Sequence, residues 1–165
     1  MVRATAALAA ALAVLAGTAA GKVSHNGWPK IDGKFVIHSH DEETPIVGTD
    51  GSDKLLGGNG SDRIFGGRAP DVIWGSYNPS QPTNVVDRLS GGRGRDYIYA
   101  GHGRNVIHGG PGPDYIHAHY GRGFADCGPG VDLIYFSHQR RHGWKMRNCE
   151  RVTYHSGTST LTPRG

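Results

Sequence analysis

Residues 57–74 read GGNGSDRIF and then GGRAPDVIW. Each nonapeptide opens on two glycines, sets an aspartate at position six and places an isoleucine at position eight. Carried outward from Gly48, the same register gives GTDGSDKLL, the two quoted units, and an interrupted unit from Gly75 that ends DRLS. After it come GGRGRDYIY, AGHGRNVIH, GGPGPDYIH, AHYGRGFAD and CGPGVDLIY. Position eight is held by Leu55, Ile64, Ile73, Leu89, Ile98, Ile107, Ile116, Ala125 and Ile134. A period of nine fits neither a heptad nor an isolated hairpin. It describes short units that bury their one apolar residue only by stacking on copies of themselves. Each unit predicts a glycine-rich turn followed by a three-residue strand, with position eight inward and positions seven and nine outward. The interruption, SYNPSQPTN at 76–84, suits a surface loop.

Composition points the same way. Glycine takes 27 of 165 residues and hydrophobic residues only 36%, too few for a conventional core. Glycine does not recur at every third position, which excludes a collagen helix. The chain starts with a short positive segment, an apolar run too short to anchor in a bilayer, and GTAAG, with small residues at Thr18 and Ala20. Residues 1–20 therefore read as a signal peptide, and the protein as secreted into the extracellular space. Cys127 and Cys149, an even pair in an exported chain, most simply form one disulfide; a reactive or metal-bound thiol is the weaker reading. The expected organisation is a partly flexible N-terminal segment with a capping strand at 21–47, stacked units at 48–135, a C-terminal cap at 136–154 and a disordered tail at 155–165.

The unit G-G-x-G-x-D-x-U-x resembles the RTX, or haemolysin-type, calcium-binding nonapeptide repeat, over about 48–135. The ending DCGPGVDLIYF…NCERV also looks like the closing segment of small exported actinobacterial proteins of that type. The resemblance implies an all-β parallel β-roll (a β-solenoid) with two nonapeptides per coil, so that units two apart stack at about 4.8 Å. One column then holds Asp53, Asp71, Asp96, Asp114 and Asp132. The other holds Asp62 and Asp87, followed by Asn105 and Gly123. Carboxylates stacked about 5 Å apart repel by about 3 kcal/mol per pair at an effective dielectric of 20, so a cation is expected among them. Ca2+ suits, because it takes six to eight oxygens from carboxylates and carbonyls in flexible geometry. Glycines with φ > 0 would aim those carbonyls. The implied activity is calcium binding coupled to folding. The net charge of +4 departs from the acidic look of such repeats, and the arginines at turn positions, Arg68, Arg93, Arg95, Arg104 and Arg122, could share in neutralising the ladder.

Outward positions offer a second reading. Trp74, Tyr97, Tyr99, Tyr115, His117 and Tyr135 line one face, either as a flat platform for glycan or as a surface covered by a terminal segment such as KFVIHSH. The other face carries Arg63, Phe65, Arg88, Ser90, Val106, His108, Phe124 and Asp126. The histidine pairs His38/His40 and His117/His119 lack clear further ligands and read as solvated. The basic run HQRRHGWKMR reads as a solvated cap. Expected partners are calcium and, at the surface, a cell-envelope glycan or anionic polymer. No nucleic-acid partner and no membrane span after signal cleavage are expected. An enzyme is disfavoured: no catalytic residue is assigned, and the insertion holds no acid, base or nucleophile pair beyond serines and a tyrosine.

Overall fold

The computed structural model describes residues 27–38, 44–76, 84–137 and 141–155. The expected signal peptide at 1–20, His40, Asp41, most of the insertion, His138 and the tail from 156 lie outside the described residues. The chain winds as a parallel β-solenoid of about six turns, laying successive strands alternately into two sheets. The first sheet has seven strands in the order β1 (Phe35–Ile37), β3 (Lys54–Leu56), β5 (Val72–Trp74), β7 (Tyr97–Tyr99), β9 (Tyr115–Ala118), β11 (Leu133–Ser137) and β13 (Arg151–His155). The second has six, in the order β2 (Ile46–Val47), β4 (Arg63–Gly67), β6 (Val86–Gly92), β8 (Arg104–His108), β10 (Arg122–Asp126) and β12 (Trp144–Arg147). Every pairing is parallel, and the register sets position eight beside position eight, as in Ile73↔Ile98 and Leu89↔Ile107.

Position eight faces inward throughout, from Leu55 and Ile64 to Ile134, each at most 1% exposed. The core is therefore one aliphatic side chain deep per strand. At the C-terminal end the small Ala125 is accompanied by Phe136 and Trp144, whose rings lie 6.2 Å apart and widen the core there. Positions seven and nine, by contrast, are not uniformly exposed as expected. Leu56, Val72, Tyr97 and His117 are buried, because one rung covers the next and the segment around Trp28 lies over part of this face.

Both ladders run past the repeats. KFVI does not cover the aromatic face. Its β1 extends the first sheet instead, pairing Val36 with Leu55. WKMR is likewise more than a solvated cap: β12 pairs with β10 and β13 with β11, closing the last coil. The Cys127–Cys149 disulfide ties the start of the last repeat to the chain between β12 and β13.

Glycine is used in two ways. At position one it is required by close approach: a Cβ on Gly66 would strike both Asp71 Oδ2 and the Gly91 carbonyl oxygen. At position four it is required by backbone conformation, as at Gly112 (φ 144°), and here Ala69 (φ 66°) is a departure. An L-residue in that region costs roughly 1–2 kcal/mol. Ala69→Gly is expected to raise stability by about 1 kcal/mol, whereas Ile107→Ala should lower it by about 2–5 kcal/mol through the cavity it leaves. Chemical denaturation in excess calcium measures both.

Candidate metal centre

The aspartates at position six precede each strand and turn inward, so the two columns expected from the repeat lie in register on their own rungs. Asp53, Asp71, Asp87, Asp96, Asp114 and Asp132 are fully buried and Asp62 is 2% exposed. After Asp53, each carboxylate of the first column accepts a hydrogen bond from the backbone N–H of the aspartate one coil earlier. Asp53 N donates to Asp71 Oδ1 at 2.8 Å, Asp71 N to Asp96 at 2.8 Å, Asp96 N to Asp114 at 2.9 Å and Asp114 N to Asp132 at 2.8 Å. The second column repeats this once, from Asp62 N to Asp87 Oδ1 at 3.1 Å. One oxygen of each acceptor is thereby satisfied.

The other is not. Oδ2 of Asp71, Asp87, Asp96, Asp114 and Asp132 is buried without a hydrogen-bond partner. An unsatisfied buried acceptor costs about 1–3 kcal/mol, and more when charged. Burial is the main reason these carboxyls are hard to ionise. It pushes Asp114 up to about 8, Asp71 and Asp87 to about 7 and Asp96 to about 6, with Asp132 also raised. Accepted N–H bonds oppose the shift, while like charges on neighbouring rungs add to it for Asp71, Asp87 and Asp114. Among the described residues no arginine pairs with these five carboxylates: Arg68 reaches exposed Asp50 and Arg147 pairs with Asp126. The expectation that turn arginines neutralise the ladder is not met there, because Arg68, Arg93 and Arg95 are exposed in turns whose aspartates point in, and Arg104 and Arg122, expected in turns, open β8 and β10 as exposed strand residues.

A divalent cation fits what is left. The orphaned Oδ2 of Asp71 and the Gly91 carbonyl oxygen flank one glycine, Gly66, and the pattern recurs with Asp96, the Gly109 carbonyl and Gly91. Among the described residues no three His, Cys, Asp or Glu side chains converge. A cation here would be held by carboxylates of the ladder and completed by backbone carbonyls, a donor set calcium accepts and zinc disfavours.

The ends of the columns differ from the middle. Asp53 is satisfied on both oxygens: Lys34 N donates to Oδ1 and Thr49 N to Oδ2. Glu150, absent from the expected ligands, accepts from Asp132 N at 2.9 Å and so adds a carboxylate rung after Asp132. Its offset of 18 residues from Asp132 equals that between Asp114 and Asp132 and was available in the sequence. In the second column Asn105 takes the aspartate's place. Its amide donates to the carbonyls of Gly101 at 3.0 Å and Gly103 at 3.4 Å, and its Oδ1 accepts from Gly101 N at 2.9 Å. The amide hydrogens thus satisfy turn carbonyls that a cation would otherwise draw on. At the head of this column His38 Nδ1 lies 3.4 Å from Asp62 Oδ1. His38 and His117 are both buried, against the expectation of solvated histidines.

The aromatic face is not a platform. Trp74, Tyr99, His117 and Tyr135 stack on one another with centroids 4.6, 4.4 and 5.1 Å apart, and Tyr97 stacks on Tyr115 at 5.0 Å. Trp28 packs edge-on to Trp74 and Tyr99 and donates a hydrogen bond to the Tyr99 hydroxyl at 2.8 Å. Rung spacing matches ring stacking, so these rings spend faces on each other, which leaves less free ring surface for a sugar to stack on.

Residues 46–76 and 83–116 match the family model of the RTX calcium-binding nonapeptide repeat, in four copies. The matched spans include every ladder aspartate except Asp132. No curated protein and no solved structure matches the chain.

Between about pH 4 and 8 the folded, cation-free ladder binds more protons than the unfolded chain, so its stability falls as pH rises through that window. The thermal midpoint in EDTA is expected to be lower at pH 8 than at pH 5, and saturating calcium should remove or reverse that trend. A midpoint in EDTA that rises with pH would contradict the assignment of buried, unpaired carboxyls.

Proposed function

We propose that this chain, which carries RTX calcium-binding nonapeptide repeats, is an exported calcium-binding β-roll whose folding waits for the ion. The row of buried, unpartnered Oδ2 atoms carries the reading. Without a cation, the ladder must either keep protons at neutral pH or hold like charges at rung spacing, and both oppose the coil that creates it. With calcium, the same oxygens become ligands, and the binding free energy enters the folding equilibrium.

Support for export comes from the signal-like residues 1–20 and from the disulfide, which belongs to an oxidising compartment. The ligands we assign are Asp62, Asp71, Asp87, Asp96, Asp114 and Asp132. Asp53 is a closing residue more than a ligand, because hydrogen bonds take both its oxygens. The proposed activity is binding, with calcium as the structural partner and no catalytic step assigned to any residue.

Circular dichroism of residues 21–165 during a calcium titration, with magnesium as control, tests the coupling. A calcium-specific gain in β-signal is expected; a chain already folded in EDTA and indifferent to calcium would overturn it. Calorimetric stoichiometry tests the ligands. Asp96→Asn is expected to weaken calcium binding about tenfold or more, since it removes a charged ligand from the middle of the row. Asn105→Asp should add a calcium, because it replaces the amide that closes the second column.

A further inference from the structure

We propose that the outward face of the six-stranded sheet binds a linear acidic polysaccharide laid across its strands. Five consecutive strands each present an exposed cation: Arg63 on β4, Arg88 on β6, Arg104 on β8, Arg122 on β10 and Lys145 on β12, which also carries Arg147. Among the described residues none of the five has a carboxylate partner. Arg63 is the direct register partner of Arg88, and Arg104 of Arg122. Cations set side by side on neighbouring strands repel, and nothing in the sheet compensates them. Among the described residues the one acidic side chain on this face, Asp126, is already held by Arg147 and Asn148.

The array has a shape. One charge per rung, at about 4.8 Å, makes a band of five charges roughly 19 Å long across a flat surface, in which Arg104 and Arg122 stand two residues along their strands from the register line of Arg63, Arg88 and Lys145. A linear polysaccharide with an acidic group on each sugar carries charge at a comparable pitch along a nearly straight path. Nucleic acid fits less well. Duplex phosphates wind away from a flat sheet, and a single strand needs a run of aromatic platforms. Here the outward rings are Phe65, His108 and Phe124; Phe65 stands apart from the other two, and His108 and Phe124 meet edge-on at 6.4 Å, which gives no run of stacked platforms.

Charge bookkeeping strengthens the attraction. Setting aside the seven ladder aspartates, which are buried, leaves seven acidic residues against eighteen Lys and Arg. Once the interior row is neutral, the exterior is far more basic than the net +4 indicates. This surface is separate from the metal ladder and does not depend on which ion fills it.

The full chain, folded in calcium, is measured against immobilised heparin, with duplex DNA and neutral dextran as comparators, over a range of salt. The expected result is heparin binding that weakens with salt and falls about tenfold or more in Arg104→Glu/Arg122→Glu. Arg68→Glu/Arg93→Glu, with the same change in charge on the turn ridge, should lose less than about threefold. Arg104→Gln/Arg122→Gln should also weaken binding while keeping the wild-type circular dichroism spectrum. Equal losses in the two Glu double variants would reduce the effect to net charge and overturn the proposal. So would unchanged binding in Arg104→Gln/Arg122→Gln, or tighter binding to DNA than to heparin.

Discussion

A carboxylate buried on every coil, one strand spacing from the next, is the constraint on which the rest of this molecule depends. Parallel stacking places Asp71, Asp96, Asp114 and Asp132 in one line and lets each accept a backbone N–H from the coil before it. That bond aligns the coils but uses only one oxygen. In Asp71, Asp96 and Asp114 the second oxygen faces a glycine too small to shield it and a carbonyl that cannot donate to it. The same row that sets the register therefore demands protons or a cation in the turn. The hydrophobic core is one aliphatic side chain per strand and is small for a chain of this length. Stability and ion binding are in this way parts of one equilibrium.

The ends show how such a repeat stops. A solenoid leaves its last coil without a neighbour, and each column here closes in its own way. Asp53 is satisfied by Lys34 and Thr49, Glu150 accepts from Asp132, and Asn105 serves its own turn with an amide. Beyond Asn105 the column has only Gly123, a position with no side chain to offer. At the C-terminal end Phe136 and Trp144 thicken the core where the disulfide joins the last coil to the preceding repeat.

The two outer faces follow from the same spacing with opposite consequences. Aromatic rings repeated at the strand spacing stack and consume their own faces, so a row of Tyr, Trp and His becomes packing. Arginines repeated at that spacing cannot satisfy one another, and the pairs Arg63/Arg88 and Arg104/Arg122 leave a band of charge on the sheet.

The amino-acid sequence by itself determined the period, the inward residue of each unit, the two columns and their composition. A repeat of nine with one aspartate and one aliphatic admits few stacked arrangements, and the pairing of Asp71 with Asp96 across the insertion follows from the unit count. It also contained the offset that would have revealed Glu150, although the NCERV segment lacks the glycines that marked the other rungs. Only the tertiary structure decided which oxygens are left without donors, because that depends on where each carboxylate leans within its turn. It also decided that KFVI and WKMR lengthen the sheets, since pairing at a sheet edge is set by backbone position and leaves little trace in residue type. Finally, it decided how the aromatic rings turn: the repeat brings them to strand spacing, but side-chain torsions and the cover from Trp28, distant in sequence, set their packing.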